Sequence, residues 1–228
     1  MSKMSNFDLQ STLIMTEQQH LEVLSDIKRM MERSSRYMSL SGLSGVFAGA
    51  VSLIAAGIAY YWLHDYYIQW NTSGRFDPAA FDLLRIRLIV LAVTVMGLAF
   101  AGGTYFTWKK AKFNKLPVWD ATSRKVFING LIPMAAGGAF IAGLLYNNLE
   151  VLIAPSCLVF YGLALVNASK YTLTDIRYLG IAEIGLGVLN VFFLRKGLYF
   201  WAVGFGIMHI LYGVIMWWKY EKGAAKEE

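Results

Sequence analysis

The sequence predicts an all-α fold: a polytopic membrane protein with a single bundle of six transmembrane helices and an N-terminal cytoplasmic amphipathic helix. Three observations predict it. Of the 228 residues, 57% are hydrophobic and only 16% charged, whereas a typical soluble domain is about 25% charged and about 45–50% apolar. Six apolar runs, at about 39–63, 87–108, 126–146, 149–168, 177–194 and 197–218, approach or exceed the roughly 20 residues a helical span needs. The basic residues, finally, are divided unequally between the segments that join those runs.

Residues 1–38 are polar and charged, without a basic stretch leading into a short apolar core, so the first span is expected to act as the insertion signal. Phe7, Ile14, Leu21, Leu24 and Met31 share one helical stripe, flanked by Leu9, Leu13 and Ile27. Lys28, Glu32 and Arg36 follow one another at i,i+4 spacing on another face. Glu17 and Lys28 interrupt a strict heptad, which argues against a long coiled coil. Two readings follow: a helix lying on the inner membrane surface, or a docking helix for a second copy or a cytoplasmic protein partner.

The apolar runs are too continuous for barrel strands, and open strands would leave backbone groups unpaired in hydrocarbon, so the spans are helices. The segment 64–86 is the longest connection, and Asp77-Pro78 within it predicts a helix that starts there and continues into the second span. Asn147-Asn148 and Arg195-Lys196-Gly197 read as tight turns. Thr172 and Asp175 stand at capping-box spacing before the fifth span. Residues 219–228 form a short cytoplasmic tail, and no separate soluble domain fits anywhere.

Orientation follows from Lys and Arg. With the N-terminus inside, only Arg75, Arg85, Arg87, Arg195 and Lys196 fall outside, and the remaining 16 of the 21 lie in cytoplasmic segments. Both termini are then cytoplasmic. Trp62, Trp70 and Trp201 fall at predicted outer ends, and Trp108, Trp119, Trp217 and Trp218 at inner ends, where an indole ring stays buried with its N–H wet. The net charge of +6 sits beside apolar spans, so its expected partner is an anionic lipid bilayer and not nucleic acid.

Small residues recur at four-residue spacing: Ser41, Gly45 and Gly49 in the first span, Ala99 and Gly103 in the second, Ala135, Ala139 and Gly143 in the third. Such faces let helices approach closely, within one bundle or between copies of the chain. Pro133 and Pro155 are expected to kink the third and fourth spans. The lone cysteine, Cys157, excludes an intrachain disulfide and reads as a small core residue.

For catalysis the sequence is poor. His20, His64 and His209 are predicted at three different depths, so they form no common metal or haem site. There is no His-Glu-x-x-His, no nucleophile elbow and no phosphate-binding loop. No catalytic residue, metal or cofactor is therefore expected. The polar inventory within the spans comprises Glu183, Asn190, His209, Tyr161, some Ser and Thr, and Asn129 and Asn167 near the inner edge. Glu183 lies thirteen residues before Lys196 and His209 thirteen after it, so equal rise per residue puts both at one depth of a helical hairpin. A carboxylate beside an imidazole there could relay protons, since an ionisable group within the bilayer usually finds a partner or water. Alternatively, Glu183 reaches for the cytoplasm or bonds Tyr161, and His209 stands alone.

The opening Ser-Leu-Ser-Gly-Leu-Ser-Gly-Val-Phe-Ala-Gly at 39–49 and the six short-looped spans resemble uncharacterised bacterial six-span membrane proteins. The resemblance covers most of the chain and implies a bacterial inner-membrane setting, without an activity. Two functions remain as expectations. One is a membrane-embedded regulatory or assembly subunit acting through the N-terminal helix. The other is a small-solute or proton-linked transporter using Glu183 and His209.

Overall fold

Hydropathy dictates long helices, and the computed structural model of the chain is built of them across the described residues, 41–113 and 119–220. The expected N-terminal helix over 1–38, residues 114–118 and the tail from 221 lie outside those residues. Helix α1 spans Gly42–Ser73, α2 Pro78–Phe113, α3 Ala121–Tyr146, α4 Ile153–Ala168 and α5 Asp175–Phe192. A last rod, residues 197–220, runs through α6 (Gly197–Trp201), a π-helical segment (Ala202–Met208) and α7 (His209–Tyr220). No strand occurs among the described residues.

Five of these rods, including Glu150–Tyr171 around α4 and Leu194–Tyr220, are long and apolar enough to cross a membrane. The chain is thus a multi-pass membrane protein. Helix α5 is shorter, at 18 residues, and carries Asp175, Arg177 and Glu183.

The helix ends follow from local chemistry. Helix α1 continues ten residues past the predicted end of its span at 63, where ring contacts of Tyr66 with Tyr67, Trp70 and Phe81 support residues of modest helix propensity. It stops where Gly74 takes a left-handed conformation (φ 63°) and its N–H returns to the Trp70 carbonyl at 2.9 Å. Helix α2 starts at Pro78 as predicted, with Asp77 Oδ1 accepting from the backbone of Ala79 and Ala80. Asp120 and Ser123 form a reciprocal capping box at the start of α3, a signal the sequence reading missed. The fifth helix is preceded by Thr174, which makes no side-chain cap.

Pro133 lies inside α3 as expected. Pro155 is the third residue of α4, in the turn whose N–H groups have no intrahelical acceptor, so it removes nothing the helix needs.

Packing divides the helices into two units. One holds α1, α2 and the rod 197–220; the other holds α3, α4 and α5. Lipid offers no hydrophobic drive between helices, so close backbone approach must supply the attraction. In the first unit a Cβ added at Gly49 would meet the Gly206 carbonyl at 2.6 Å, and one at Gly213 would meet Val46 N at 2.6 Å. In the second, Gly162 and Gly180 face one another, and each added Cβ would meet the other's carbonyl at 2.6–2.7 Å. The stripe at Ser41, Gly45 and Gly49 is therefore a packing face inside the bundle. The other two stripes are not used this way: Gly103 and Gly143 have open space, Ala135 and Ala139 are exposed, and α3 instead meets α4 through Gly137 against Phe160.

Candidate intramembrane polar site

The buried face of α5 is a stripe at helical spacing: Ile176, Leu179, Gly180, Glu183, Gly187 and Asn190. Gly180 and Gly187 press against α4 near Val166 and Val159. Being pressed against α4 fixes the rotation of α5, and that rotation turns Glu183 inward. Its side chain is completely buried, so the alternative in which it reaches for the cytoplasm does not describe this structure.

The rod 197–220 brings His209 to the same place. Glu183 Oε1 and His209 Nδ1 are 3.5 Å apart, with His209 only 6% exposed. His209 Nδ1 lies 3.0 Å from the Gly204 carbonyl of its own helix, and Nε2 lies 2.7 Å from the Tyr161 hydroxyl on α4. A carbonyl can only accept, so Nδ1 is the nitrogen that carries the proton; in the neutral ring Nε2 then accepts from Tyr161. Tyr161 thus bonds His209, not Glu183. Phe205 packs against both rings, and Trp201 packs on Phe205 in turn. Together they form an aromatic column leading to the predicted outer end.

Glu183 is the anomaly. Neither of its carboxylate oxygens has a hydrogen-bond partner, and a Cβ at Gly204 would meet Oε2 at 2.5 Å. Leaving a buried polar group unsatisfied costs about 1–3 kcal/mol. A charged group at a helix centre costs on the order of 2.5–3.5 kcal/mol on insertion scales. The nearest relief is the imidazole. If Nε2 takes a proton, the imidazolium donates to both Gly204 and Tyr161 and sets a positive charge 3.5 Å from the carboxylate. At an effective dielectric of 20 that attraction is about 5 kcal/mol. The cluster thus has two charge-balanced states, neutral acid with neutral ring and carboxylate with imidazolium, differing in where one proton sits.

The remaining candidate, Asn190, is two turns further along α5. It is fully buried, its Nδ2 donates to the Phe193 carbonyl at 3.2 Å, and its Oδ1 has no partner. It closes the turn after α5 and does not join the cluster. His64 stacks on Tyr60 at the far end of α1, and His20 lies outside the described residues. Among the described residues no group of three His, Cys, Asp or Glu is placed to hold a metal ion. A groove of about 370 Å³ between α3 and α4, lined by Pro133, Phe160 and Lys170 among others, does not include the cluster.

Sequence reasoning found Glu183, His209 and Tyr161 by depth and polarity. It missed Gly204, whose carbonyl orients the ring and whose lack of a side chain leaves room for the carboxylate. The π-helical segment around it has no sequence signal beyond the pair Gly204 and Gly206. No protein-family model matches this sequence, and comparison with curated proteins and with solved structures finds no significant similarity.

Proposed function

We propose that this chain is a six-span protein of the bacterial inner membrane, with both termini cytoplasmic, that moves protons, alone or with a small solute, through Glu183 and His209. The observation that carries this reading is the buried, unpartnered Glu183 carboxylate facing His209 Nδ1 at 3.5 Å. Intramembrane ionisable residues are expensive, and proton relays are among the uses that justify them. The groups that face the carboxylate are His209 and the Gly204 backbone from the last rod, with Tyr161 behind the imidazole from α4. A proton gained at Nε2, on the Tyr161 side of the ring, turns that nitrogen from acceptor to donor and sets a positive charge beside Glu183, so the protonation of the carboxylate and the bond between α4 and the last rod are coupled. The π-helical turn beside them fits the same use, since such turns concentrate at functional sites.

The test is reaction with dicyclohexylcarbodiimide, which modifies protonated carboxyls in apolar surroundings, followed by peptide mass analysis. Glu183 is expected to be the labelled residue, and Glu183→Gln to abolish proton uptake by proteoliposomes after a pH step. Labelling elsewhere, with uptake unchanged in Glu183→Gln, would sink the reading.

A second reading is a regulatory or assembly subunit acting through residues 1–38. It is favoured by continuity: that segment leads into α1, and α1 packs its glycine face on the rod that carries His209. A Cβ at Gly45 would meet the His209 carbonyl itself at 3.1 Å. A stoichiometric partner co-purified from detergent and lost on deleting residues 1–35 is the expected sign. Its absence removes this reading.

A further inference from the structure

We propose that the two three-helix units rock about the Glu183–His209 contact, and that Arg85 and Asp175 are gate residues closing the cluster to opposite sides. This rests on the reading of the cluster as a working protonation site. Polar side chains join the units at three depths. At the predicted outer end Arg85 of α2 reaches the turn between α3 and α4. Its Nε lies 3.2 Å from Glu150 Oε1, Nη1 donates to Asn148 Oδ1 at 3.2 Å, and Nη2 donates to the Leu145 carbonyl. At mid-depth His209 of the first unit meets Tyr161 and Glu183 of the second. At the opposite end Lys219 and Tyr220 of the last rod donate to the Asp175 carboxylate at 2.9 and 2.6 Å. Just beneath that contact Met216 packs on Leu173 and Ile176 across the same boundary.

The two ends of this boundary are held differently from the helices inside each unit. Inside the units Gly49 and Gly213, and Gly162 and Gly180, bring helix backbones into contact. Between the units the end contacts are side-chain ion pairs that are partly exposed: Lys219 shows 55% of its side chain, Arg85 and Glu150 about a quarter each. Such pairs contribute little net stability and exchange readily with water. At the middle Gly204 and Gly197 pack closely on Leu158 and Ala154 and make the pivot, and of the two polar linkages there one includes a group free to gain or lose a proton. A rigid pair of bodies held by breakable ends and a protonatable centre is the arrangement that rigid-body gating requires. Both ends are closed in this structure, so it represents the occluded arrangement.

The experiment uses the full chain in oriented vesicles and a water-soluble carbodiimide with glycine ethyl ester, added from one side at a time. Arg85→Ala is expected to raise Glu183 modification from the Arg85 side by about two- to fivefold, the range an ion pair of this kind can shift. Asp175→Asn is expected to do so from the other side only. Glu150→Gln and Lys219→Met repeat each perturbation from the opposite partner, which covers a variant that does not fold. Modification rising from both sides in each single variant, or from neither, overturns the gating assignment. Failure of lipid-soluble carbodiimide to label Glu183 in the unaltered chain would sink the protonation site instead, so the two failures are distinguishable.

Discussion

Replacing Glu183 by leucine should make this protein more stable while abolishing the proton uptake proposed above. The magnitude comes from the site. The carboxylate is fully buried, makes no hydrogen bond, and packs against Gly204 and Leu158, both apolar surfaces. A leucine of similar size keeps those contacts and removes the unsatisfied polar group, recovering about 1–3 kcal/mol. His209 keeps its bonds to Gly204 and Tyr161, so the substitution orphans no partner. For a chain of this size 1 kcal/mol corresponds to about 2–4 °C, giving an expected rise in Tm on the order of 2–12 °C. Cys157, partly buried on α4, is a built-in reporter: unfolding exposes the only thiol to a fluorogenic maleimide. Glu183→Gln, which keeps a polar group in the same place, is expected to gain less than the leucine variant. A fall in Tm for Glu183→Leu would refute the reasoning, because the carboxylate would then be holding the fold together.

Four further outcomes are expected. In a Cys157→Ala background, cysteine at position 74 is labelled by a membrane-impermeant reagent on intact cells and cysteine at 113 is not; the reverse pattern overturns the orientation read from Lys and Arg. Gly213→Val, which forces the Val46 and Gly42 backbones away, lowers stability by about 1–3 kcal/mol, while Gly103→Val, with open space around it, leaves Tm unchanged. Tyr161→Phe removes the hydroxyl bonded to His209 Nε2 and costs about 1 kcal/mol in thermal unfolding; an unchanged Tm would mean the ring finds another partner. Asn190→Leu loses the bond that closes the turn at Phe193 and is expected to lower Tm, the opposite sign to Glu183→Leu; a rise would place Asn190 in the same class as Glu183.

Much of the fold was legible because lipid leaves so few choices. Hydropathy located the helices, and Asp77-Pro78 marked one start to the residue. The first helix ran longer than its apolar stretch because hydropathy reports where lipid ends, whereas a helix continues beyond it where side-chain contacts support it. Tyr66, Tyr67 and Trp70 extend α1 and pack with Phe76 and Phe81 beside the turn. Four-residue spacing identified small faces without telling which would meet a neighbour, since that depends on helices distant in sequence. For the same reason the two units were invisible: they join the first two helices to the last and leave the middle three together. Glu183 and His209 were found by depth alone. The direction each faces needed the rotation of α5, which Gly180 and Gly187 on the face of Glu183 set through contact with α4.

The strongest argument for function comes from where local rules fail together. Elsewhere α1 ends on a left-handed glycine, α3 starts on a reciprocal aspartate–serine box, and Gly49, Gly162, Gly180 and Gly213 pack against neighbouring backbone. Within one small volume three departures coincide. A carboxylate is buried without a hydrogen bond, an imidazole bonds back to a carbonyl five residues earlier, and the helix between them widens to a π turn over Ala202–Met208. Any one of these lowers stability, and none is required by the others' packing: a leucine at 183 and an ordinary α-turn would fill the same space. A sequence optimised for a static bundle has no reason to retain all three at one depth. The proton coupling proposed for Glu183 and His209 gives a reason for each. The unsatisfied carboxylate leaves a place for one proton, the back-bonded ring leaves Nε2 on the Tyr161 side as its exchanging nitrogen, and the wide turn lets the rod adjust when the charge beside Glu183 changes.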